Sequence, residues 1–175
     1  MENKVIKYII FNTFILISIC FGQENTQLRI DEKTGKPIIF GECSREAFYD
    51  SNFVWWFNSG YKFYSVDSSV IKKINSIDLD SVTAILVMGT WCSDSRREVP
   101  RFFKVIDKIQ FPKERLRIIG VDREKTNSET DIQSLNIELV PTFIFYKNEN
   151  EIGRIIETPS VSIESDMLKI FEDNL

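Results

Sequence analysis

A thiol at a strand-to-helix turn is the group in this chain best placed to do chemistry. Cys92 lies in the segment W-C-S-D-S at residues 91–95, between the apolar run Val82–Met88 and a segment with helical spacing of apolar residues. The apolar run is typical of a strand that is buried on both faces. At a helix N-terminus, unpaired backbone N–H groups and the positive end of the helix dipole favour a thiolate. The sequence therefore predicts that Cys92 is a nucleophile.

Side chains next to Cys92 are expected to tune its reactivity. Ser93 and Ser95 can donate hydrogen bonds to the sulfur, and Arg96 adds positive charge. Asp94 acts in the opposite direction, because a nearby negative charge disfavours a thiolate. We expect Ser95 to take part in catalysis with Cys92, and Ser93 and Arg96 to tune the thiolate.

The chain contains no histidine, and this excludes several kinds of site. Without imidazole there is no Ser-His or Cys-His nucleophile pair, no His-containing zinc site and no imidazole acid or base. We expect no bound metal and no cofactor.

An ordered set of residues around and beyond Cys92 is similar to the active site of a known family. Its members are Trp91, Cys92, Arg96, Glu98, Pro100 and the segment Val140-Pro141-Thr142. The set resembles the thioredoxin family and, within it, the envelope thioredoxin-like proteins of the TlpA type. The resemblance covers residues 65–175. It implies an α/β thioredoxin fold, in which helices flank a central mixed sheet.

The resemblance also assigns roles to the second segment. Pro141 stands at the position of the family's cis-proline, which lies beside the active-site cysteine. A cis peptide bond there would leave the backbone of Val140 free to pair with a substrate chain. Trp91, Val140, Pro141 and Thr142 are then substrate-binding residues. The alternative for Pro141 is an ordinary proline at the start of a strand.

The chain departs from the family at two positions. Ser95 stands where thioredoxins carry their second, resolving cysteine, and Leu86 stands where many of them bury an aspartate. Ser95 cannot release a mixed disulfide by attacking it. Release needs another substrate thiol, an external thiol, or Cys43. The alternatives for Cys43 are a structural disulfide partner and a small buried hydrophobe.

Two functions follow from this pattern. The first is a monothiol oxidoreductase or isomerase that exchanges thiols and disulfides through Cys92. The second is a non-catalytic thioredoxin-fold module that holds client peptides along the Pro141 edge. An iron–sulfur or glutathione site resembles the chain less, because monothiol glutaredoxins carry a different C-x-x-S turn and work inside the cell.

The first residues of the chain predict export. Two lysines precede an apolar stretch at residues 8–21, which suits a secretory signal peptide over residues 1–22 with cleavage before Gln23. Lipidation of Cys20 is the alternative, which the bulky Ile19 disfavours. We therefore expect a location in the periplasm or cell envelope of a bacterium.

The charge balance limits the partners. Removing residues 1–22 takes away two lysines and one glutamate, so the net charge changes from −4 to −5. No basic surplus is left to favour nucleic acid or an anionic membrane. We expect the partners to be cysteine-containing exported proteins or an envelope redox partner.

The remaining pattern divides the mature chain into an N-terminal arm with an aromatic-rich helical extension at residues 23–64 and a thioredoxin-like domain at residues 65–175. The polar residues 23–36 predict an arm that ends in a turn. Residues 44–64 hold nine aromatic side chains, which we expect to pack the extension onto the sheet. Further strands are predicted at residues 116–121, 142–146 and 151–157, and helices at residues 68–77, 93–109, 131–135 and 162–171.

Overall fold

The computed structural model describes residues 27–127 and 132–175. The signal-peptide prediction, including the lipidation alternative at Cys20, lies outside the described residues. The strands are β1 (Gln27–Ile30), β2 (Pro37–Cys43), β3 (Val82–Met88), β4 (Leu116–Gly120), β5 (Thr142–Lys147) and β6 (Asn150–Ile156). The α-helices are α1 (Val54–Phe63), α2 (Ser68–Ile74), α3 (Ser93–Lys108) and α4 (Ile163–Asn174).

These strands form a single mixed sheet in the order β1-β2-β4-β3-β5-β6. Strands β3 and β4 are parallel, and α3 makes the crossover between them. On the other side of β3, strand β5 pairs antiparallel with β3, and β6 pairs antiparallel with β5. This arrangement of a mixed sheet flanked by helices is the thioredoxin fold, as the sequence predicted. In the described part of the chain, no helix is long and apolar enough to cross a membrane.

The N-terminal arm is more ordered than the sequence predicted. Residues 27–43 form a hairpin in which β1 pairs antiparallel with β2. The Asp31 N–H donates to the carbonyl of Lys36 at 2.8 Å, and Gly35 adopts a φ of 67°, which suits glycine. The turn was therefore predicted and the strand before it was not. All four residues of β1 are exposed, so the strand lacks the buried alternation by which strands are recognised.

The core consists of two clusters on opposite faces of the sheet. Along β3, Leu86 and Met88 belong to the larger cluster, while Val87 belongs to the smaller one. Successive side chains of a strand point to opposite faces, so the sheet separates the two clusters. The larger cluster includes buried residues of α1, α3 and α4. The smaller one includes Val121, Ile132 and Val140.

The aromatic segment packs against α3, the helix that begins beside Cys92. Phe48 lies in a short 3-10 helix (Arg45–Tyr49) and stacks on Phe57 of α1, with ring centroids 4.9 Å apart. Both rings make edge contacts with Phe103 of α3, at 5.6 and 5.4 Å. The aromatic residues therefore join the extension to the same core as the rest of the chain.

Two helices begin at a side chain that accepts a backbone N–H of the first turn. The hydroxyl of Ser162 accepts the N–H of Ser165 at 3.2 Å and caps α4. The carboxylate of Asp67 accepts the N–H of Ser69 at 2.8 Å and caps α2. Ionised aspartate accepts this bond more strongly than serine, and both residues are favoured caps.

The predicted helix at residues 131–135 is a short 3-10 helix at Gln133–Leu135, with Asp131 outside the described residues.

Candidate functional site

Cys92 is the N-cap residue of α3, with extended backbone angles (φ −85°, ψ 134°). Strand β3 ends at Met88, and the Cys92 N–H donates to the carbonyl of Gly89 at 2.8 Å, which closes a tight turn before the helix. The thiol is free and its residue is partly exposed. The predicted position of Cys92, between a buried strand and a helix N-terminus, is confirmed.

The predicted proline segment lies against this thiol. The peptide bond between Val140 and Pro141 is cis, and the Cys92 Sγ lies 3.3 Å from the carbonyl oxygen of Val140. The hydroxyl of Thr142 donates to the carbonyl of Leu139 at 2.7 Å, and this bond fixes the conformation of the proline loop at residues 139–142. Two segments 48 residues apart in sequence therefore meet at the sulfur.

One detail of this contact differs from the expectation. The Val140 backbone was expected to be free for a substrate chain, whereas its carbonyl oxygen accepts the S–H of Cys92. A reduced, protonated thiol thus occupies an acceptor that a bound peptide could use. The side chain of Val140 is buried in the smaller cluster, so only its backbone can serve a ligand.

Ser95 has a structural partner in this turn. Its side chain is fully buried, and its hydroxyl oxygen accepts the N–H of Gly89 at 3.2 Å. A buried backbone N–H without an acceptor is costly. The residue that replaces the second cysteine therefore also ties the end of β3 to the first turn of α3.

Arg96 likewise holds the turn in place. Its Nε donates to the carbonyl of Thr90 at 2.7 Å, and the hydroxyl of Thr90 accepts the N–H of Ile39 on β2 at 3.2 Å. Ser93 is exposed in the first turn of the helix. Thr90 was not singled out in the sequence, because nothing in a threonine beside a tryptophan indicates a contact with a strand fifty residues earlier.

An ionic network runs from the cysteine along α3. The Asp94 carboxylate approaches the Cys92 Sγ at 3.9 Å and pairs with Arg97 at 2.6 Å. Arg97 also pairs with Glu98 at 2.6 Å, and Arg101 pairs with the same Glu98 oxygen at 3.1 Å. These carboxylates raise the pKa of Arg97, with the hydrogen bond to Glu98 as the largest cause. Asp94 is therefore compensated by a cation and is not a bare negative charge beside the sulfur.

An ion pair between Arg123 and Asp31, which the sequence did not indicate, lies next to Trp91. The Trp91 Nε1–H donates to the carbonyl of Val121 at 2.9 Å, and the guanidinium carbon of Arg123 lies 4.8 Å from the centre of a Trp91 ring. Arg123 in turn donates two hydrogen bonds to the carboxylate of Asp31, at 2.7 and 2.9 Å. The partners are 92 residues apart, and no local pattern links them.

Asp31 is an unusual carboxylate because its residue is only 3% exposed. The hydrogen bonds from Arg123 hold the pKa of Asp31 well below its usual range, and a hydrogen bond from the Thr34 hydroxyl adds to this effect. The hydrogen bonds to Asp31 also raise the pKa of Arg123. Asp31 and Arg123 thus form an ion pair at neutral pH, and Arg123 lies over the ring of Trp91, the residue that precedes the thiol.

The structure does not place Cys43 beside Cys92. Cys43 is buried on β2, opposite Ile118 of β4, and belongs to the larger cluster. Cys92 packs against the smaller cluster on the other face. Two inter-strand spacings of about 4.8 Å separate β2 from β3, and the sheet lies between the two clusters. Among residues 27–127 and 132–175, no group of three or more Cys, Asp or Glu side chains is arranged to hold a metal ion.

Comparison with known proteins supports the fold. No family model matches the chain, and no curated protein matches it. A crystal structure of a protein of unknown function from Pseudomonas aeruginosa superposes with a TM-score of 0.56 at 15% identity, covering 77% of this chain and 94% of that chain. An HIV epitope-scaffold protein superposes with a TM-score of 0.52 at 17% identity and the same two coverages. Thioredoxin O2 from Arabidopsis thaliana aligns less closely, with a TM-score of 0.39 at 20% identity over 59% of this chain and 84% of that chain.

These identities establish a shared fold for the first two comparisons and do not extend to activity. The strand order and the cis-proline loop define the class of this molecule, an α/β protein with the thioredoxin fold. Within that class, its turn at residues 92–95 carries one cysteine and ends in a buried serine.

Proposed function

We propose that this protein carries out thiol-disulfide exchange with Cys92 as its single nucleophile. One observation carries the proposal: a free, partly exposed thiol at the N-terminus of α3 lies 3.3 Å from the carbonyl oxygen that precedes a cis-proline. A helix N-terminus favours the thiolate form of a cysteine. The loop at Pro141 supplies a backbone to which an extended substrate segment can bind.

The exchange consists of two balanced steps. In the first, the Cys92 thiolate attacks one sulfur of a substrate disulfide, forms a mixed disulfide, and releases the other sulfur as a thiolate. In the second, a different thiolate attacks the substrate sulfur of the mixed disulfide, forms a new substrate disulfide, and regenerates the Cys92 thiolate. No net oxidation occurs, so no external oxidant is required.

The attacking thiol of the second step must come from outside the turn. Ser95 has no thiol, and the sheet separates the clusters that contain Cys43 and Cys92. A second thiol of the same substrate gives isomerisation. An external thiol instead forms a mixed disulfide with the substrate, and a second external thiol then releases the reduced substrate while the two external thiols become a disulfide. The substrates that suit this chemistry are cysteine-containing exported proteins or an envelope redox partner, because the compartment predicted from the N-terminal residues permits disulfides.

Non-catalytic client binding is the second candidate, and one observation favours it. Leu139 and Ile156 are 43% and 46% exposed, and they flank the proline loop, since Ile156 pairs with Thr142. Apolar side chains at such a position suit an unfolded client segment. In that function Cys92 would trap a client and would not turn over.

The test is the reaction of the folded protein with a small aromatic disulfide, followed by mass analysis of each cysteine peptide. We expect one mixed disulfide at Cys92 and release of one aromatic thiol per chain. The control Cys43→Ser should react equally, and Cys92→Ser should not react. A second thiol should then release the adduct, and recovery of a scrambled-disulfide substrate should depend on Cys92. An inert Cys92 in folded protein would contradict exchange, and an adduct that no thiol releases would favour client trapping.

A further inference from the structure

We propose that Asp31 and Arg123 form a clamp that fixes Trp91 and sets the electric charge an incoming substrate meets at Cys92. The clamp makes the β1–β2 hairpin, which lies outside the predicted thioredoxin-like domain, a positioning element of the site. The contacts themselves are independent of the proposed exchange, but the effect of their charge on a disulfide substrate rests on it.

The first step of the argument is that Trp91 is held on three sides. Its ring lies against Gly89, where an added Cβ would come within 2.5 Å of the indole. Its Nε1–H donates to the carbonyl of Val121, and Arg123 lies over its face at 4.8 Å. An Arg over a Trp ring is an attractive cation–π pair. Trp91 directly precedes Cys92, and both residues pack against the smaller cluster, so Arg123 fixes a ring next to the site.

The second step is that Arg123 is held by a rigid partner. Two hydrogen bonds join its guanidinium to the Asp31 carboxylate, and such two-pronged pairs define both distance and orientation. Asp31 is fixed by its own turn, because its backbone bonds to Lys36 and Gly35 and its carboxylate accepts from the Thr34 hydroxyl. The hairpin therefore determines where the guanidinium lies.

The third step concerns charge. Arg123 lies 4.8 Å from the centre of a Trp91 ring, and Trp91 directly precedes Cys92, so a positive charge lies near the reacting sulfur. The negative charge of Asp31 balances the positive charge of Arg123 without displacing the guanidinium. Neutralising Asp31 would leave the positive charge of Arg123 unbalanced. Neutralising Arg123 would leave the negative charge of Asp31 unbalanced. The intact clamp therefore lets disulfides with acidic or basic surroundings approach with little discrimination.

The test compares two alkylating reagents of similar size, anionic iodoacetate and neutral iodoacetamide, at Cys92 in full-length protein. For Asp31→Asn we expect the iodoacetate-to-iodoacetamide rate ratio to rise about threefold at low ionic strength, and for Arg123→Gln to fall about threefold. The double variant should return close to wild type. Added salt should reduce all three differences, because exposed charges are screened.

A matched control is the ion pair of Arg117 and Glu42, which joins β4 to β2 at 2.8 Å and lies toward the end of these strands that is farther from Asp31 and Arg123. Glu42→Gln and Arg117→Gln should leave the ratio unchanged. Opposite shifts in Asp31→Asn and Arg123→Gln support the clamp. Equal ratios in all variants, or shifts of the same sign in Asp31→Asn and Arg123→Gln, overturn it.

The same data separate this inference from the proposed function. Alkylation needs no disulfide substrate, so a protein that fails to exchange disulfides still reports the charge at Cys92. If one of the two single variants fails to show a cooperative thermal transition, the rate ratio of the other must still change in its own predicted direction, and no change or the opposite change overturns the clamp. A wild-type protein that exchanges disulfides but shows no change in ratio on substitution would retain the function and lose the clamp.

Discussion

Ser95 is the residue on which the chemistry of this protein depends most. It occupies the position of the family's second cysteine, and its buried hydroxyl accepts the N–H of Gly89. The replacement therefore removes a thiol from the site and provides a stronger acceptor than sulfur at the same point. The serine hydroxyl thus explains why the second step needs an outside thiol and how the end of β3 is tied to α3.

At this residue we predict that Ser95→Cys converts the site into a dithiol. The new thiol would lie one helical turn after Cys92 and should form a disulfide with it under oxidising conditions. Reduction of insulin by the variant should then exceed that of wild type by at least about tenfold, because an internal thiol resolves the mixed disulfide. Ser93→Cys, an exposed neighbour, is the control and should give little gain. Absence of an internal disulfide in folded Ser95→Cys protein would show that the turn geometry is wrong.

Residue types and spacing predicted the two halves of the site but not their surroundings. The strand before the cysteine and the position of Cys92 at the start of a helix follow from local sequence, the cis-proline follows from the family resemblance, and the structure contains all three. Asp31 and Arg123 could not be predicted, because an ion pair across 92 residues depends on strand order and not on local pattern. The occupied carbonyl of Val140 was missed for a related reason: which backbone acceptor meets a thiol depends on distances of tenths of an ångström.

Among the elements, α1 and α3 approach each other through a glycine and a proline. A Cβ at Gly60 would lie 2.5 Å from the Cγ of Pro100, so the close approach of the helices requires glycine. We predict that Gly60→Ala lowers the free energy of unfolding by about 1–3 kcal/mol, although alanine is the better helix former by about 1 kcal/mol. Urea denaturation measures the change. Ser59→Ala, one residue earlier and exposed, should be neutral or slightly stabilising, and an equal gain in both variants would contradict the predicted clash.

The stability of the fold should depend on pH through Asp31, which lies in the turn of the β1–β2 hairpin. Because the pKa of Asp31 in the folded protein is well below its usual range, its pairing stabilises the fold at pH values above the unfolded-state pKa of about 3.9. That contribution is lost as the pH falls toward the folded-state pKa. We predict that wild type exceeds Asp31→Asn in unfolding free energy at pH 7, and that the difference shrinks below about pH 4. A difference that grows toward acid pH would contradict the assignment.

For the whole molecule, the aromatic extension and the thioredoxin-like domain share one core. Phe48 and Phe57 are fully buried against Phe103, and the removal of one such ring alone costs about 3–5 kcal/mol. We predict that a chain beginning at residue 65 has no cooperative unfolding transition, whereas a chain beginning at Gln23 has one. Circular dichroism during heating distinguishes them. A cooperative transition in the shorter chain would show that the domain is stable without its extension.

The hydrogen bond from the Cys92 thiol to the Val140 carbonyl has a consequence for the order of events. In the resting reduced protein, the nucleophile occupies the backbone position that a client strand would use, so the protonated site is closed by its own reactive atom. Ionisation or capture of a substrate sulfur removes the S–H and frees the carbonyl at the same moment. The reaction at Cys92 thus makes the Val140 carbonyl available for binding, and the protein would hold a client most firmly while the two are covalently joined.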